Sequence, residues 1–169
     1  NFYQRLAFDE IFSTFLVNSE IRKKIKKFKK KNKNIDKTKQ NKILKKLEFT
    51  LTNDQLKTLE EINNDISSTN KMFRLLQGDV GCGKTIVSLL AAYNTVNSGF
   101  QVAFMAPTEI LARQHFNFAK KIFSNQVKID LISGKSEYKT KKEILKKLEN
   151  NDIDIIFGTH AIFQKKVNF

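Results

Sequence analysis

The sequence has one cysteine, Cys82, and no apolar run of about 18 residues, the length that a membrane-spanning helix requires. A single cysteine excludes an internal disulfide framework and a cysteine-rich zinc site. Residues 1–5 contain neither an initiator methionine nor the start of a signal peptide. We therefore expect a piece of a longer protein that works in a reducing cytoplasm and has no membrane segment.

Acidic residues are also scarce. The 169 residues include 31 lysines and arginines but 17 aspartates and glutamates, so the net charge is 31 − 17, or +14. Residues 19–48 hold fourteen of the basic residues and three of the acidic ones. Such a block favours a polyanion as partner, nucleic acid above all. Lysine, asparagine and isoleucine are abundant along the whole chain, however, as in proteins from AT-rich genomes, so ordinary surface lysines remain an alternative.

Apolar residues make up 40% of the chain, enough for one domain with a hydrophobic core. In residues 1–30 their helical spacing predicts an amphipathic helix that packs on a neighbouring domain or on the rest of this one; a helix on a membrane surface is the alternative. Residues 31–46 predict a basic, mobile linker, and a compact domain is expected over 47–169. The helical stripe consists of Phe8, Ile11, Phe12, Phe15 and Leu16, followed by Ile21, Ile25 and Phe28.

Beyond the linker, short apolar runs alternate with helical patterns. Strands separated by helices of 12 to 16 residues imply βαβ units, a parallel sheet and right-handed crossovers. The predicted fold is therefore α/β, with at least four strands. Strands are predicted at 72–77, 102–106, 127–132 and 153–157, and helices at 53–67, 84–97, 108–123 and 136–150.

The most specific motif is a glycine-rich loop between a predicted strand and a predicted helix. Glycines let backbone N–H groups converge on phosphate oxygens, and the N-terminus of the following helix favours an anion. Lys84 can reach the β and γ phosphates, and the Thr85 hydroxyl is a ligand for Mg²⁺. The loop therefore predicts binding of a nucleoside triphosphate, which we expect to be ATP. It reads Gly78-Asp79-Val80-Gly81-Cys82-Gly83-Lys84-Thr85 and fits the pattern G-x-x-x-x-G-K-[ST].

The loop is one of four motifs that occur in order along the chain. They are Leu51-Thr52-Asn53-Asp54-Gln55, Gln77 with the loop, Ala106-Pro107-Thr108-Glu109 with the six residues after it, and Gly158-Thr159-His160-Ala161-Ile162-Phe163. Together these motifs resemble the first, RecA-like motor domain of superfamily 2 DNA helicases, and within them the RecG family of bacterial helicases. The resemblance covers nearly all of residues 47–169, and Arg5-Leu6-Ala7-Phe8-Asp9-Glu10 resembles the helix that precedes the motor.

The resemblance implies an ATP-dependent helicase, with ATP and Mg²⁺ as cofactors. Its implied substrate is branched double-stranded DNA, such as Holliday junctions and stalled forks, in recombination and repair. It further implies a monomeric motor in the bacterial cytoplasm, associated with the nucleoid. Gln55 resembles the glutamine that recognises adenine, although Thr52-x-x-Gln55 is also a capping box.

Two of the motifs are implied to contact DNA. In Pro107-Thr108-Glu109 the threonine suits a phosphate at the start of a helix, or else serves as an ordinary N-cap. In Gly158-Thr159-His160 the threonine again follows a predicted strand, and the histidine is not expected to be catalytic.

The sequence departs from the family pattern in one respect. The acidic Walker B box does not occur before Phe169, and Asp152 and Asp154 precede or lie within a predicted strand. An acid in that box would hold Mg²⁺ and position water. We therefore expect the piece alone to bind nucleotide weakly and not to hydrolyse it.

Three alternatives stay open. The transcription-repair coupling translocase has a very similar motor but usually carries a second threonine in place of Glu109 and an arginine in place of Ala161. A non-catalytic nucleic-acid binder would use the basic block and a degenerate loop. A simple P-loop kinase would leave the motifs around Thr108 and Thr159 without a purpose.

Overall fold

The computed structural model describes residues 2–26, 33–124, 126–132 and 138–163. This part contains four α-helices in succession and then three short strands that alternate with two further helices, which confirms the predicted α/β class. The helices are α1 (Phe2–Lys26), α2 (Lys37–Leu44), α3 (Asn53–Ser67), α4 (Lys84–Asn97), α5 (Glu109–Phe123) and α6 (Tyr138–Glu149), followed by a 3₁₀ turn (His160–Phe163). The strands are β1 (Val102–Met105), β2 (Ile129–Ile132) and β3 (Ile155–Gly158).

The three strands form one parallel sheet in the order β1-β3-β2, with Ile155 paired with both Val102 and Ile129. The central strand β3 is fully buried along its length. Its continuous run of apolar residues, without polar alternation, is typical of a parallel strand covered on both faces.

Two apolar clusters cover the two faces of the sheet. Ile155 and Phe157 belong to the larger one, together with residues of α3, α4 and α5, while Ile156 points into the other with Ile132. The alternation follows from the period of two along a strand. The smaller cluster is completed by residues of α6, of the loop before β3 and of the 3₁₀ turn: Ile144, Leu148, Ile153 and Ile162.

The segment 72–77, predicted as a strand, does not form one, and the prediction of at least four strands is wrong for the described residues. A strand needs a neighbour to receive its backbone hydrogen bonds, and none of the described strands pairs with this segment. Three of its apolar side chains, those of Met72, Phe73 and Leu75, are exposed, Leu75 to 85%, while Leu76 is half-buried against the larger cluster. The segment is instead tied to α3 by Arg74, which donates to Asp65 at 2.7 Å and to Glu61 at 2.9 Å.

The prediction of a mobile linker over 31–46 is wrong for the residues that form α2. Asp36 accepts hydrogen bonds from the backbone N–H groups of Thr38 and Lys39 and so caps the helix, and Ile43 is fully buried in the larger core. The carbonyl oxygen of the Gln40 side chain accepts from Asn63 at 2.8 Å and from Asn94 at 2.7 Å. Short-range composition could not reveal this docking because it depends on residues of α3 and α4.

The amide cluster, in which Asn63 and Asn94 are buried and Gln40 is half-buried, predicts a measurable contribution to stability. In Asn94→Ala the carbonyl oxygens of Gln40 and Asn63 lose a donor inside the protein, because Asn94 is 1% exposed. We expect the free energy of unfolding to fall by ~1–3 kcal/mol, measured by urea denaturation. The control is Asn64→Ala, an exposed asparagine on α3, which should change it by less than ~0.5 kcal/mol. Equal losses in the two variants would contradict the buried network.

Helix α1 confirms the helical prediction for residues 2–26, but its apolar stripe is not buried by any described residue. Phe12 is 51% exposed and Phe15 71% exposed, and Phe8 stacks on Phe12 within the helix. The structure therefore does not provide the burial that we expected for the stripe. Of the predicted stripe, the side chain of Ile25 and all of Phe28 lie outside the described residues. No helix in the described ranges is both long and apolar enough to span a bilayer.

Candidate functional site

The glycine-rich loop curls back on itself immediately before α4. Gly81 and Gly83 have φ values of +86° and +85°, a region that other residues rarely adopt, and the N–H of Cys82 donates to the carbonyl of Asp79 at 3.3 Å. Val80 stands at the tip, fully exposed. The glycines of the motif are therefore required by the backbone path of the loop.

Lys84 places its ammonium group inside this curl. Nζ donates to the carbonyl oxygens of Gly78 at 2.8 Å and Asp79 at 2.6 Å, and it lies 3.7 Å from Sγ of Cys82. Backbone carbonyl groups of the loop thus fix the position of the Lys84 ammonium group, the one cation that the loop contains. A positive charge held at this point is suited to the phosphates of a nucleotide.

The N-terminus of α4 has free hydrogen-bond donors. Gly83 is the N-cap and has no side chain that could accept from the first N–H groups of the helix. These groups and the helix dipole favour an anion. The hydroxyl of Thr85 makes no hydrogen bond to another residue in the described part of the chain, so it is free to act as a ligand for Mg²⁺.

Gln55 links the loop to the start of α3. Its Oε1 accepts from the N–H of Thr52 at 2.9 Å, its own N–H donates to Oγ1 of Thr52 at 3.3 Å, and its Nε2 donates to the carbonyl of Cys82 at 2.9 Å. The predicted capping box is confirmed. A primary amide has two donor hydrogens and two acceptor lone pairs, so one of each remains for a base such as adenine.

A cleft of about 400 Å³ opens beside the loop and gathers the residues of the two motifs. Gln55 lines it together with Gly83 and Lys84, so the structure brings Gln55 next to part of the loop. The predicted nucleotide residues Gly78, Asp79, Val80 and Thr85 are not among its lining residues. Cys82 is exposed on this surface. The other lining residues are Thr52, Asp54, Thr58, Leu76, Gln77, Gly81 and Val87.

The two motifs predicted to contact DNA follow adjacent parallel strands. Met105 at the end of β1 pairs with Gly158 at the end of β3, and the N–H of Ala106 donates to the carbonyl of Gly158 at 2.9 Å. Thr108 and Thr159 therefore leave the sheet at the same edge. A Cβ on Gly158 would lie 2.7 Å from the backbone oxygen of Ile132, so only glycine fits there.

The two threonines differ in what their hydroxyl groups do. Thr108 is the N-cap of α5, and its Oγ1 accepts from the N–H of Leu111 at 3.3 Å. The hydroxyl of Thr159 has no hydrogen-bond partner within the described ranges. Thr108 is exposed and Thr159 is half-buried, so both can be reached from solvent. Their arrangement suits the binding of phosphate oxygens.

The histidines have structural settings. His115 packs its edge against the ring of Phe104, and burial lowers its pKa from the ordinary value. It is therefore neutral at pH 7 and belongs to the aromatic packing over β3. His160 is exposed beside Thr159, at the start of the 3₁₀ turn.

Two groups of residues were not foreseen from the sequence. Arg74 lies in the predicted strand, and its hydrogen bonds to Asp65 and, secondly, Glu61 raise its pKa and anchor the segment that leads into the loop. The sequence did contain a signal for this contact: a single arginine within an apolar run, and two acids spaced four residues apart on the predicted helix before it. The amide cluster of Gln40, Asn63 and Asn94 has no comparable sequence signal.

The comparisons with known proteins agree with this geometry. The family model for DEAD/DEAH box helicases matches residues 52–168. The ATP-dependent DNA helicase RecG of Thermotoga maritima is 41% identical over 167 residues, covering 98% of this chain and 21% of that protein. The protein of the same name from Bacillus subtilis is 46% identical over 127 residues, covering 75% of this chain and 19% of that protein.

A solved structure described as RecG bound to a three-way DNA junction is similar throughout. It matches with a TM-score of 0.89 and 41% sequence identity, covering 98% of this chain and 23% of that chain. The present chain thus spans about one fifth of the length of the relatives it matches.

Proposed function

The chain belongs to the DEAD/DEAH box helicase family, and from that membership we propose that it is the first motor domain of an ATP-dependent DNA helicase that acts on branched double-stranded DNA. The observation that carries the proposal is the loop at 78–85, where Lys84 and the free N–H groups of α4 face one cleft. The threonines at one sheet edge supply the second requirement, a place for the DNA backbone.

The loop residues fit ATP and Mg²⁺. Lys84 and the N–H groups at the start of α4 would bind the phosphates, the Thr85 hydroxyl would hold Mg²⁺, and Gln55 would contact adenine. When bound, the metal neutralises charge on the phosphates. Among the described residues no cluster of His, Cys, Asp and Glu could hold a metal ion by itself, so the metal would enter with the nucleotide.

The choice of DNA substrate rests on the relatives. One similar structure is described as bound to a three-way DNA junction, which supports a branched substrate for this chain too. Within the proposal, the motor is monomeric and works on the bacterial nucleoid in the cytoplasm, in recombination and repair.

The role of the threonines can be tested in the full-length protein. Thr159→Val removes a hydroxyl without a partner while keeping the shape of the side chain, so we expect three- to tenfold weaker binding of a three-way junction, which corresponds to roughly 1 kcal/mol for one lost hydrogen bond. Thr108→Val should weaken binding similarly, and Thr108→Ser should retain both the cap and the affinity. Fluorescence anisotropy gives these affinities.

Nucleotide affinity serves as the control for both variants. It should be unchanged, because neither threonine lines the cleft beside the loop. If junction affinity stayed at the wild-type value in Thr159→Val and Thr108→Val alike, the sheet edge would not be a DNA contact.

A further inference from the structure

Helix α2 and its last turn carry a concentrated positive charge. Residues 37–46 contain five lysines and no acid, and all five lysines are exposed. The next most lysine-rich described helix, α6, has two glutamates among its five lysines. A high density of lysines could simply reflect the composition of the whole chain. Whether these lysines form a binding surface therefore has to be judged from where their charges lie.

Three of these lysines lie on the same side of the helix. Lys42, Lys45 and Lys46 are spaced i, i+3 and i+4, which places them on one stripe of a helix. Lys45 keeps helical backbone angles, and the N–H of Lys46 donates to the carbonyl of Ile43 at 3.1 Å, so the helical path continues to this point. The stripe faces away from the core.

The opposite side of α2 is fixed to the domain. Ile43 is fully buried, and the Gln40 side chain accepts two hydrogen bonds from α3 and α4. The lysine stripe is therefore presented on a docked helix, and not on a flexible chain. A fixed arrangement of charges gives up little conformational entropy when it meets a partner.

No described acid neutralises the stripe. Lys37 faces Glu60 at 3.8 Å, and Lys39 lies close enough to Asp36 to help lower the pKa of that carboxyl, after the larger effects of the hydrogen bonds from Thr38 and Lys39. Within the described ranges no carboxylate comes within ion-pair distance of Lys42, Lys45 or Lys46. Glu61 and Asp65 of α3 bind Arg74.

The helix dipole accounts for part of this arrangement, because cations are favoured at a helix C-terminus. Three like charges at i, i+3 and i+4 nevertheless repel one another, which destabilises the helix. A polyanion on the stripe would remove that repulsion. We propose that Lys42, Lys45 and Lys46 form a contact for the phosphate backbone of duplex DNA, in addition to the threonines that follow β1 and β3.

The side chains of α2 favour the duplex over single strands. Binding of unpaired bases uses aromatic side chains for stacking, and residues 37–46 contain none. Lysine is a point charge without the planar fork that reads guanine, so the contact would be independent of sequence. The inference rests on the proposed function only for the identity of the partner as DNA.

The test compares two triple variants of the full-length protein. In Lys42→Gln/Lys45→Gln/Lys46→Gln, glutamine keeps the helix propensity while the charge is removed. Lys142→Gln/Lys146→Gln/Lys147→Gln removes the same charge from exposed positions of α6 and is the matched control. Affinities for a labelled duplex, a single strand and a three-way junction are measured from about 50 to 200 mM salt.

We expect the slope of log affinity against log salt to become shallower by about two to three in the α2 variant, with at least roughly tenfold weaker binding at low salt. The α6 variant should keep the wild-type slope, and replacing the three α2 lysines with arginine should also keep it. Hydrolysis of ATP without DNA should match wild type in all three variants.

Three results would overturn the inference: an unchanged slope in the α2 variant, an equal change in the α6 variant, or a loss confined to single-stranded DNA. The proposed function fails separately. It fails if the wild-type protein has no affinity for duplex or junction DNA, whereas an α2 variant with a wild-type slope, in a protein that binds junctions, removes the α2 contact alone.

Discussion

Lys84→Ala should abolish most of the ATP hydrolysis of the full-length protein, by on the order of 10²–10³-fold, and weaken ATP binding. Among the described residues, Lys84 alone places a cation inside the curl of the loop, where the carbonyl oxygens of Gly78 and Asp79 hold its Nζ at 2.8 Å and 2.6 Å. Alanine removes the charge that would face the β and γ phosphates. Steady-state hydrolysis and titration with a fluorescent ATP analogue measure the two effects.

Two further variants define the cause of that loss. Lys57→Ala removes an exposed charge from α3, two residues after Gln55, and should leave both quantities at wild type. Lys84→Arg keeps the charge but replaces a compact ammonium with a planar guanidinium, so it should restore little of the hydrolysis. Substantial hydrolysis by Lys84→Ala would mean that the loop is not the catalytic nucleotide site.

Gly83→Ala should weaken ATP binding by roughly 30- to 100-fold. A Cβ at this position would lie 2.3 Å from Nε2 of Gln55, so the amide would have to swing away and lose its bonds to Cys82 and Thr52. The φ of +85° adds backbone strain of ~1–2 kcal/mol for any residue with a Cβ. Isothermal titration with a non-hydrolysable ATP analogue gives the affinity.

Gly81→Ala separates the two causes. Gly81 has nearly the same φ, +86°, but a Cβ there would meet nothing within 4 Å, so this variant carries the strain without the displacement of Gln55. The Gly81→Ala variant should bind ATP about tenfold more tightly than the Gly83→Ala variant does. In a Gln55→Ala background the extra cost of Gly83→Ala should vanish, and a cost that persisted there would contradict the role of Gln55 as the link between α3 and the loop.

The parts of the fold that local pattern specifies were predicted well. Helix α4 begins and ends where the sequence indicated, at Lys84 and Asn97, because the glycine before it and the apolar spacing within it are local signals. The strands at 102–106, 127–132 and 153–157 were placed within two residues at each end, since buried parallel strands are continuous apolar runs.

The failures concern residues whose structure depends on distant partners. The segment 72–77 has a strand-like composition, but strand formation requires a neighbour, and the described sheet offers it none. Residues 37–44 have few apolar side chains and looked like a linker, yet one buried isoleucine and the amide of Gln40 dock them on α3 and α4. Composition within a window carries neither kind of information.

In the candidate site too, the features with a local sequence pattern were predicted and those that depend on distant residues were not. The loop 78–85 and the capping box at Thr52 were evident because each is a short pattern with a fixed mechanism. Residue spacing could not show that Gln55 also donates to the carbonyl of Cys82, nor that Arg74 anchors the segment before the loop. Both depend on how α3 sits against residues more than eight positions away.

DNA-stimulated ATP hydrolysis tests most directly whether the loop at 78–85 is the ATP site of a DNA motor. The full-length protein is assayed for phosphate release with no DNA, with linear duplex and with a three-way junction, beside Lys84→Ala. We expect hydrolysis that the junction stimulates more than the linear duplex does, and that Lys84→Ala abolishes. Hydrolysis that is insensitive to DNA, or equally fast without Lys84, would contradict the account.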